Sequence, residues 1–149
     1  MFFSKKGFTL IEILIVIIII SIVVSASIPA FRKARAKSLN VKTQSLISSI
    51  EAALSMYESD FGDYPPSDEK KGNKILVELL QGPVSSDFWK GPYMRFKKED
   101  LDTKGNIVDP WFTPLIYQYP QNQHENTPYV IISAGPDRKL GTGDDIGNW

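Results

Sequence analysis

No cysteine occurs among the 149 residues, which excludes disulfide bonds, cysteine-ligated zinc sites and a thiol nucleophile. The one histidine, His124, lies in a polar segment rich in Asn, Gln and Pro, and no Ser/His/Asp arrangement accompanies it, so we predict that the protein is not an enzyme. Lys and Arg total 17, as do Asp and Glu, so the chain lacks the basic excess that is typical of nucleic-acid-binding proteins.

What the sequence does contain is one long apolar run near its N-terminus. Residues 8–28 are almost entirely apolar and reach the length of about 20 residues that a helix needs to cross a bilayer. Glu12 interrupts this run, although an ionised carboxylate deep in a bilayer costs about 3 kcal/mol. A secretory signal peptide with small residues at 24–26 and a plain membrane anchor are both possible interpretations, but neither explains Glu12.

The segment KKGFTLIE at residues 5–12 resembles the processing signal of type IV pilins and pseudopilins. The resemblance implies that residues 1–7 are a leader, that a prepilin peptidase cleaves between Gly7 and Phe8, and that the new amine of Phe8 is methylated. It also implies that Glu12 pairs with the first-residue amine of a neighbouring subunit during assembly. That pairing would compensate for the buried carboxylate.

The run continues into an amphipathic segment, so we predict one helix from about Phe8 to Phe61. Residues 8–30 would form its transmembrane and assembly half, and Pro29 would locally loosen it. Over residues 31–61 the apolar side chains recur at three- and four-residue steps, which is typical of a helix with one buried face. This stripe consists of Leu46, Ile50, Ala53, Leu54, Tyr57 and Phe61.

Residues 62–149 form a separate head, which begins with the helix-breaking segment Gly62–Pro66. Residues 74–80 predict a short second helix, and residues 115–119 and 129–133 predict strands. The fold class is therefore α+β, with a long N-terminal helix packed on a small antiparallel sheet, as in type IV pilins.

The C-terminal loop, residues 133–146, combines glycines with three carboxylates, Asp137, Asp144 and Asp145. Oxygen ligands on a glycine-rich loop are compatible with Ca²⁺, which takes six to eight oxygens. The spacing does not fit an EF-hand. A solvated turn is the alternative, because Asp and Gly are common turn residues.

The head also resembles the major pseudopilin family of type II secretion systems. The resemblance is carried by Asp109-Pro110-Trp111 with Pro114 and Tyr117, by residues 60–65 (DFGDYP), and by the Ser-x-Gly-x-Asp loop that closes on paired aspartates. It implies a structural Ca²⁺ held by Asp137, Asp144 and Asp145, with main-chain carbonyls near Ala134 and Thr142. Phe112 departs from the family, which usually has glycine there, and residues 67–99 match only loosely.

The resemblance implies a homopolymer that forms a periplasmic pseudopilus and helps to drive folded proteins across the outer membrane. Its partners would be minor pseudopilins, prepilin peptidase, the inner-membrane assembly platform and membrane lipid, with the head in the periplasm after a single inner-membrane pass.

Four cations, Arg32, Lys33, Arg35 and Lys37, follow the apolar run and by charge alone favour the opposite orientation. A surface pilin for adhesion, motility or DNA uptake is the alternative. Aromatic residues at 88, 89, 93 and 96 lie among cations, but we expect them to pack the head and expect no nucleic-acid partner.

Overall fold

The computed structural model describes residues 8–68, 70–121, 124–125 and 127–149, and the chain divides into two compact units. The first unit ends at Ser38 and the second is Leu39–Trp149. In chain order the elements are α1 (Leu10–Phe61), α2 (Lys74–Gln81), a 3-10 turn (Lys98–Asp100), β1 (Ile116–Gln118), β2 (Val130–Ser133) and β3 (Ile146–Gly147).

Helix α1 is 52 residues long, and its first part buries nothing. The apolar side chains of residues 10–28 are largely exposed, from 85% at Leu10 to 46% at Ile28. This stretch is long and apolar enough to cross a membrane. Pro29 lies inside the helix, which continues through it although the residue has no N–H to donate.

The later part of α1 supplies one wall of the core of the second unit. Its buried residues are Thr43, Ile47, Ile50, Ala53, Leu54 and Tyr57, which follow the three- and four-residue spacing of one helix face. The predicted stripe is confirmed from Ile50 to Tyr57, whereas Leu46 and Phe61 are only partly buried. Thr43 is tolerated in the core because its hydroxyl donates to the Leu39 carbonyl at 3.1 Å.

Helix α1 ends where the backbone turns left-handed at Gly62, which has a φ of 78°. The Gly62 N–H donates to the Glu58 carbonyl at 2.7 Å, as expected for a glycine just beyond a helix C-terminus. On the last turn, Tyr57 stacks on Phe61 with ring centroids 4.3 Å apart. Tyr57 also meets Tyr93 edge-on at 5.9 Å. The end of α1 is therefore anchored by aromatic packing onto the head.

The head places α2 and a small antiparallel sheet against this helix, and they share one apolar core. Leu76 and Leu80 of α2 are fully buried, each contributing about 1.5–3 kcal/mol relative to an exposed side chain. Within the described residues the strand order is β1-β2-β3, with Tyr117 opposite Ile131 and Ser133 opposite Ile146. The predicted fold class is confirmed. The predicted α2, β1 and β2 are also present, with slightly different ends.

The buried side chain of Asn73, just before α2, joins three segments of the head. Its Oδ1 accepts a hydrogen bond from the Ile107 N–H at 2.8 Å. Its Nδ2 donates to the carbonyls of Ile107 at 2.8 Å and Leu115 at 2.7 Å. All three backbone groups belong to buried residues, so Asn73 satisfies polar groups that water does not reach.

We expect Asn73→Ala to lower the free energy of unfolding of the unit 39–149 by about 3 kcal/mol, because it leaves buried backbone groups without partners. Chemical denaturation followed by circular dichroism measures this change. Gln118→Ala, at an exposed position on β1, is the matched control and should change stability by less than about 0.5 kcal/mol. Equal effects of the two substitutions would contradict the assigned role of Asn73.

Candidate functional site

At the start of α1, Glu12 is held by Thr9 in a capping box. The Glu12 Oε2 accepts hydrogen bonds from the Thr9 N–H at 2.8 Å and the Thr9 hydroxyl at 2.9 Å. In return, the Glu12 N–H lies 3.4 Å from the Thr9 Oγ1. This reciprocal arrangement satisfies donors at a helix N-terminus that have no partner within the helix. Within the described residues, no donor reaches the Glu12 Oε1, which leaves that oxygen for an external partner.

The predicted processing site lies only partly within the described structure. Gly7 is outside the described residues, and Phe8 is 79% exposed just before the capping box. Cleavage between Gly7 and Phe8 therefore stays a prediction. The pairing of Glu12 with a neighbouring amine also stays a prediction, because the contact that the structure records for Glu12 is with Thr9.

Two of the three serines in the apolar half of α1 satisfy their hydroxyls within the helix. The hydroxyls of Ser21 and Ser27 donate to the carbonyls of Ile17 at 2.7 Å and Val23 at 2.8 Å. A helix satisfies its own backbone groups, and these hydroxyls are satisfied within the same helix. The surface between Leu10 and Ile28 is thus suited to a lipid or protein environment without water.

In the C-terminal loop, hydrogen bonds connect two of the three predicted carboxylates. The Asp144 Oδ2 accepts from the Asp137 N–H at 3.1 Å, while the Asp137 Oδ1 accepts from the Lys139 N–H at 2.7 Å. The Thr142 hydroxyl donates to the Asp144 Oδ1, and this hydrogen bond lowers the pKa of the Asp144 carboxyl. Asp144 therefore carries its negative charge at neutral pH.

Asp145 contains a buried oxygen that no donor satisfies. Its Oδ2 accepts from the Gly141 N–H at 2.7 Å, but its Oδ1 is buried without a hydrogen-bond partner among the described residues. Burying an oxygen of a charged group without a partner is costly. A cation bound at this oxygen would remove the cost, so the loop is chemically suited to a metal ion.

Gly135 makes room for the loop to fold back on itself. It has a φ of 62°, and a Cβ at this position would lie 2.2 Å from the Asp144 carbonyl oxygen. Only glycine allows this approach. The predicted main-chain ligand Ala134, which precedes it, is buried, and Thr142 is half-buried.

The predicted ligands lie in one loop, but their side chains do not by themselves form a finished site. Among the residues that the structure describes, no three acidic or histidine side chains are grouped closely enough to hold a metal ion. Calcium accepts many carbonyl and water oxygens, so it does not require such a group. The ligand set of Asp137, Asp144 and Asp145 with carbonyls of Ala134 and Thr142 stays a prediction.

The buried carboxylate of Asp109, which we did not single out as a site residue from the sequence, organises the neighbouring loop. Its Oδ1 accepts from the N–H groups of Trp111 and Thr113, each at 2.9 Å. Its Oδ2 accepts from the Ser133 hydroxyl at 2.7 Å, and the Ser133 Oγ accepts from the Gly135 N–H at 3.2 Å. Asp109 thereby connects the 109–113 turn to the start of the C-terminal loop.

Comparisons with known proteins agree with this geometry. A family profile described as "Type II secretion system (T2SS), protein G" matches residues 30–149, and one described as "Prokaryotic N-terminal methylation motif" matches residues 3–28. The chain is 34% identical over 147 residues to the type II secretion system core protein G of Escherichia coli (strain K12), covering 98% of this chain and 92% of that protein. It is 32% identical to the protein of the same name in Pseudomonas aeruginosa, and the match covers 98% of this chain and 96% of that protein.

A solved structure is also similar. It is the major pseudopilin from the type 2 secretion system of enterohaemorrhagic Escherichia coli, with a TM-score of 0.50 and 26% identity. The match covers 78% of this chain and 87% of that one. The long helix with a small sheet is thus an arrangement that a pseudopilin shares.

We expect Asp109→Ala to destabilise the unit 39–149 by about 3 kcal/mol, because three donors lose their acceptor. Asp109→Asn should be milder, since its amide oxygen can still accept from the two backbone N–H groups. Thermal unfolding of both variants measures the effect. Asp87→Ala, at an exposed aspartate, is the control. If Asp109→Ala were as stable as this control, Asp109 would not organise the turn.

Proposed function

The chain belongs to the protein G family of type II secretion systems, and from this membership we propose how its two units build a fibre. It is a pseudopilin, a structural subunit of the pseudopilus that assembles with other components of the secretion system. The observation that carries the proposal is the first half of α1, where an apolar surface long enough to cross a membrane is largely exposed. Such a surface needs lipid before assembly and other copies afterwards.

We propose that processing precedes assembly. A prepilin peptidase would remove residues 1–7 and methylate the amine of Phe8, leaving residues 8–30 as a single inner-membrane pass with the head in the periplasm. The four cations from Arg32 to Lys37 would then lie outside the cytoplasm, against the usual charge bias. Extraction of copies from the membrane by the assembly platform, with minor pseudopilins at the fibre end, would build the pseudopilus.

Glu12 would set the register between copies in this fibre. Its Oε2 is occupied by Thr9, while its Oε1 meets no donor among the described residues, so one carboxylate can serve both the capping box and a neighbouring amine. An ion pair in an apolar environment adds little stability in general. A register that leaves the carboxylate unpaired is nevertheless unfavourable, because the charge is then buried without a partner. The role is therefore one of alignment.

Export of folded proteins across the outer membrane is the function that this fibre would serve. The matched relatives are named as secretion proteins, which favours secretion over a surface pilin for adhesion, motility or DNA uptake. We propose a mechanical contribution and no catalytic one. In this role the head needs a stable shape and a rigid connection to α1.

We propose that Ca²⁺ provides part of that stability. Among the described residues the buried Oδ1 of Asp145 has no hydrogen-bond partner, and the main-chain oxygen of Asp144 lies close to Gly135 in the same loop. These groups, with Asp137, are hard oxygen ligands of the kind that Ca²⁺ accepts. A bound ion would offset the repulsion between the carboxylates of the loop and would hold its ends together.

Glu12→Gln should insert into the membrane but should support little secretion and few fibres. The amide keeps the capping box with Thr9, but it has no charge to pair with an amine. Complementation of a strain deleted for this gene measures both secreted protein in the medium and fibres sheared from overproducing cells. Thr9→Ala is the matched control, because it breaks the box but keeps the carboxylate, and it should remain close to normal.

Normal secretion by Glu12→Gln together with failure of Thr9→Ala would show that the capping box, and not the charge, is what assembly needs. If the deleted strain secreted normally but lost surface fibres or DNA uptake, the secretion function itself would be wrong.

Chelation of calcium should lower the melting temperature of the unit 39–149 by several degrees, and added Ca²⁺ should restore it better than Mg²⁺ does. Asp145→Asn should melt early and should not respond to the chelator, whereas the control Asp87→Asn should respond as the unchanged protein does. Identical melting curves with and without chelator would contradict the calcium site.

A further inference from the structure

Phe112 is an exposed aromatic residue that the fold holds in an unfavourable backbone conformation. Its φ is 64°, in the left-handed region that disfavours residues other than glycine, and its side chain is 79% exposed. The head therefore gains little burial from this side chain in return for the strain. Such strain persists only where the surroundings impose it, and it is found preferentially at functional positions.

The 109–113 turn imposes this conformation. The Phe112 N–H donates to the Asp109 carbonyl at 2.9 Å, and the Asp109 N–H donates to the Thr113 carbonyl at 2.9 Å. The buried Asp109 carboxylate holds the same turn from within. Phe112 is thus presented to solvent by a turn that four hydrogen bonds hold in place.

A groove of about 260 Å³ lies beside Phe112. Its volume is far above the ~30 Å³ of one water but below the range of about 300–1,000 Å³ typical of small-ligand sites. A groove of this size, open and partly apolar, is suited to side chains of another protein. The lining includes Leu39, Lys42, Leu46, Glu99, Asp100 and Phe112.

Glu99 and Asp100 place two carboxylates at the edge of this groove. The Glu99 side chain is 65% exposed, and its ion partner, the Lys97 Nζ, is 3.9 Å away and itself exposed. The Asp100 Oδ2 accepts a hydrogen bond from the Lys97 N–H at 3.1 Å. Lys42 also lines the groove, but it forms no ion pair with either acid. Cationic groups of a partner would find acceptors here.

The same chain carries a complementary surface at residues 31–37 of helix α1, which we call the basic turn. Phe31 is 73% exposed, and the cations Arg32, Lys33, Arg35 and Lys37 are all exposed. None of these cations pairs with an acid among the described residues. Phe31 and Arg35 are four residues apart on α1, so an aromatic ring and a guanidinium share one face. The basic turn therefore combines an aromatic ring with cations, which complement the apolar and acidic groups of the groove lining.

We propose that the Phe112 groove binds the basic turn of a neighbouring copy of this chain in the assembled fibre. Phe31 packs against the apolar lining and Phe112, while Arg32 and Arg35 face Glu99 and Asp100. This inference rests on the proposed function, because it requires the chain to polymerise. It also explains why cations follow the membrane segment on the side where charge bias disfavours them. Any alignment of two copies that brought like charges together at this contact would be disfavoured.

Disulfide trapping in the full-length chain tests the contact directly. The chain has no cysteine, so an engineered pair is the only possible source of disulfide-linked multimers. Arg35→Cys combined with Glu99→Cys should give a ladder of multimers on non-reducing gels of sheared fibres. Arg35→Cys combined with Lys104→Cys, at an exposed site outside the groove, should give monomers. Fibres that form normally but give no ladder with the first pair would overturn this inference and leave the proposed function intact.

Charge exchange gives an independent test. Glu99→Arg with Asp100→Arg should reduce sheared fibres about tenfold or more, because like charges then face each other across the contact. Adding Arg32→Glu and Arg35→Glu should restore most of the fibres. If the basic turn instead binds anionic lipid headgroups, Arg32→Glu with Arg35→Glu would weaken membrane association in otherwise unchanged protein, and no exchange would restore assembly. That result would also overturn the inference.

Phe112→Gly separates assembly from folding. Glycine adopts the left-handed conformation without strain, so the melting temperature should not fall. Fibre yield should nevertheless drop, by about the same factor as for the charge reversal, because the aromatic contact is lost. Full fibre yield with Phe112→Gly would contradict a role for Phe112 at the interface. Complete absence of fibres from the unchanged chain would instead contradict the proposed function.

Discussion

The constraint on which this structure depends is the first half of α1, whose apolar side chains are largely exposed among the described residues. A helix satisfies most of its own backbone groups, and the hydroxyls of Ser21 and Ser27 donate to carbonyls within the helix, so Glu12 is the one charged side chain in this apolar stretch. The chain must therefore be completed from outside, by lipid or by other copies. The unit 39–149 needs a core of its own, which its described residues supply.

The head meets that requirement with polar contacts that join segments distant in sequence. Asn73 bridges the backbone at Ile107 and Leu115, and Asp109 connects its own turn to Ser133. A domain this small, without disulfides, has a limited apolar core, so fully satisfied buried polar groups contribute specificity that additional apolar area would not. These contacts also determine where the exposed parts of the turn and the loop lie, and thus which groups face a partner.

The elements that the sequence predicts are those whose signals are local. The periodicity from Ile50 to Tyr57, the breaker at Gly62 and the apolar strands at 116–118 and 130–133 each act over a few residues. β3 was missed because two residues carry no periodic signal and pair with β2 only through the tertiary fold. The roles of Asn73 and Asp109 depend on partners 34 and 24 residues away. The spacing of Thr9 and Glu12 is typical of a capping box and could have predicted it, but the same residues also belong to the processing motif.

Three features of the isolated subunit are incomplete in different ways, and each calls for a different partner. The Glu12 Oε1 meets no donor among the described residues, the Asp145 Oδ1 is buried without a partner, and Phe112 is strained and exposed. An amine could satisfy the first, a cation the second and an apolar surface the third. These partners are chemically distinct: the proposed Ca²⁺ would act within the head, whereas the other two proposed contacts would be made between copies. A subunit that is incomplete alone and complete in the fibre gains free energy only by assembling in the correct register, which is what polymerisation of a secretion fibre requires.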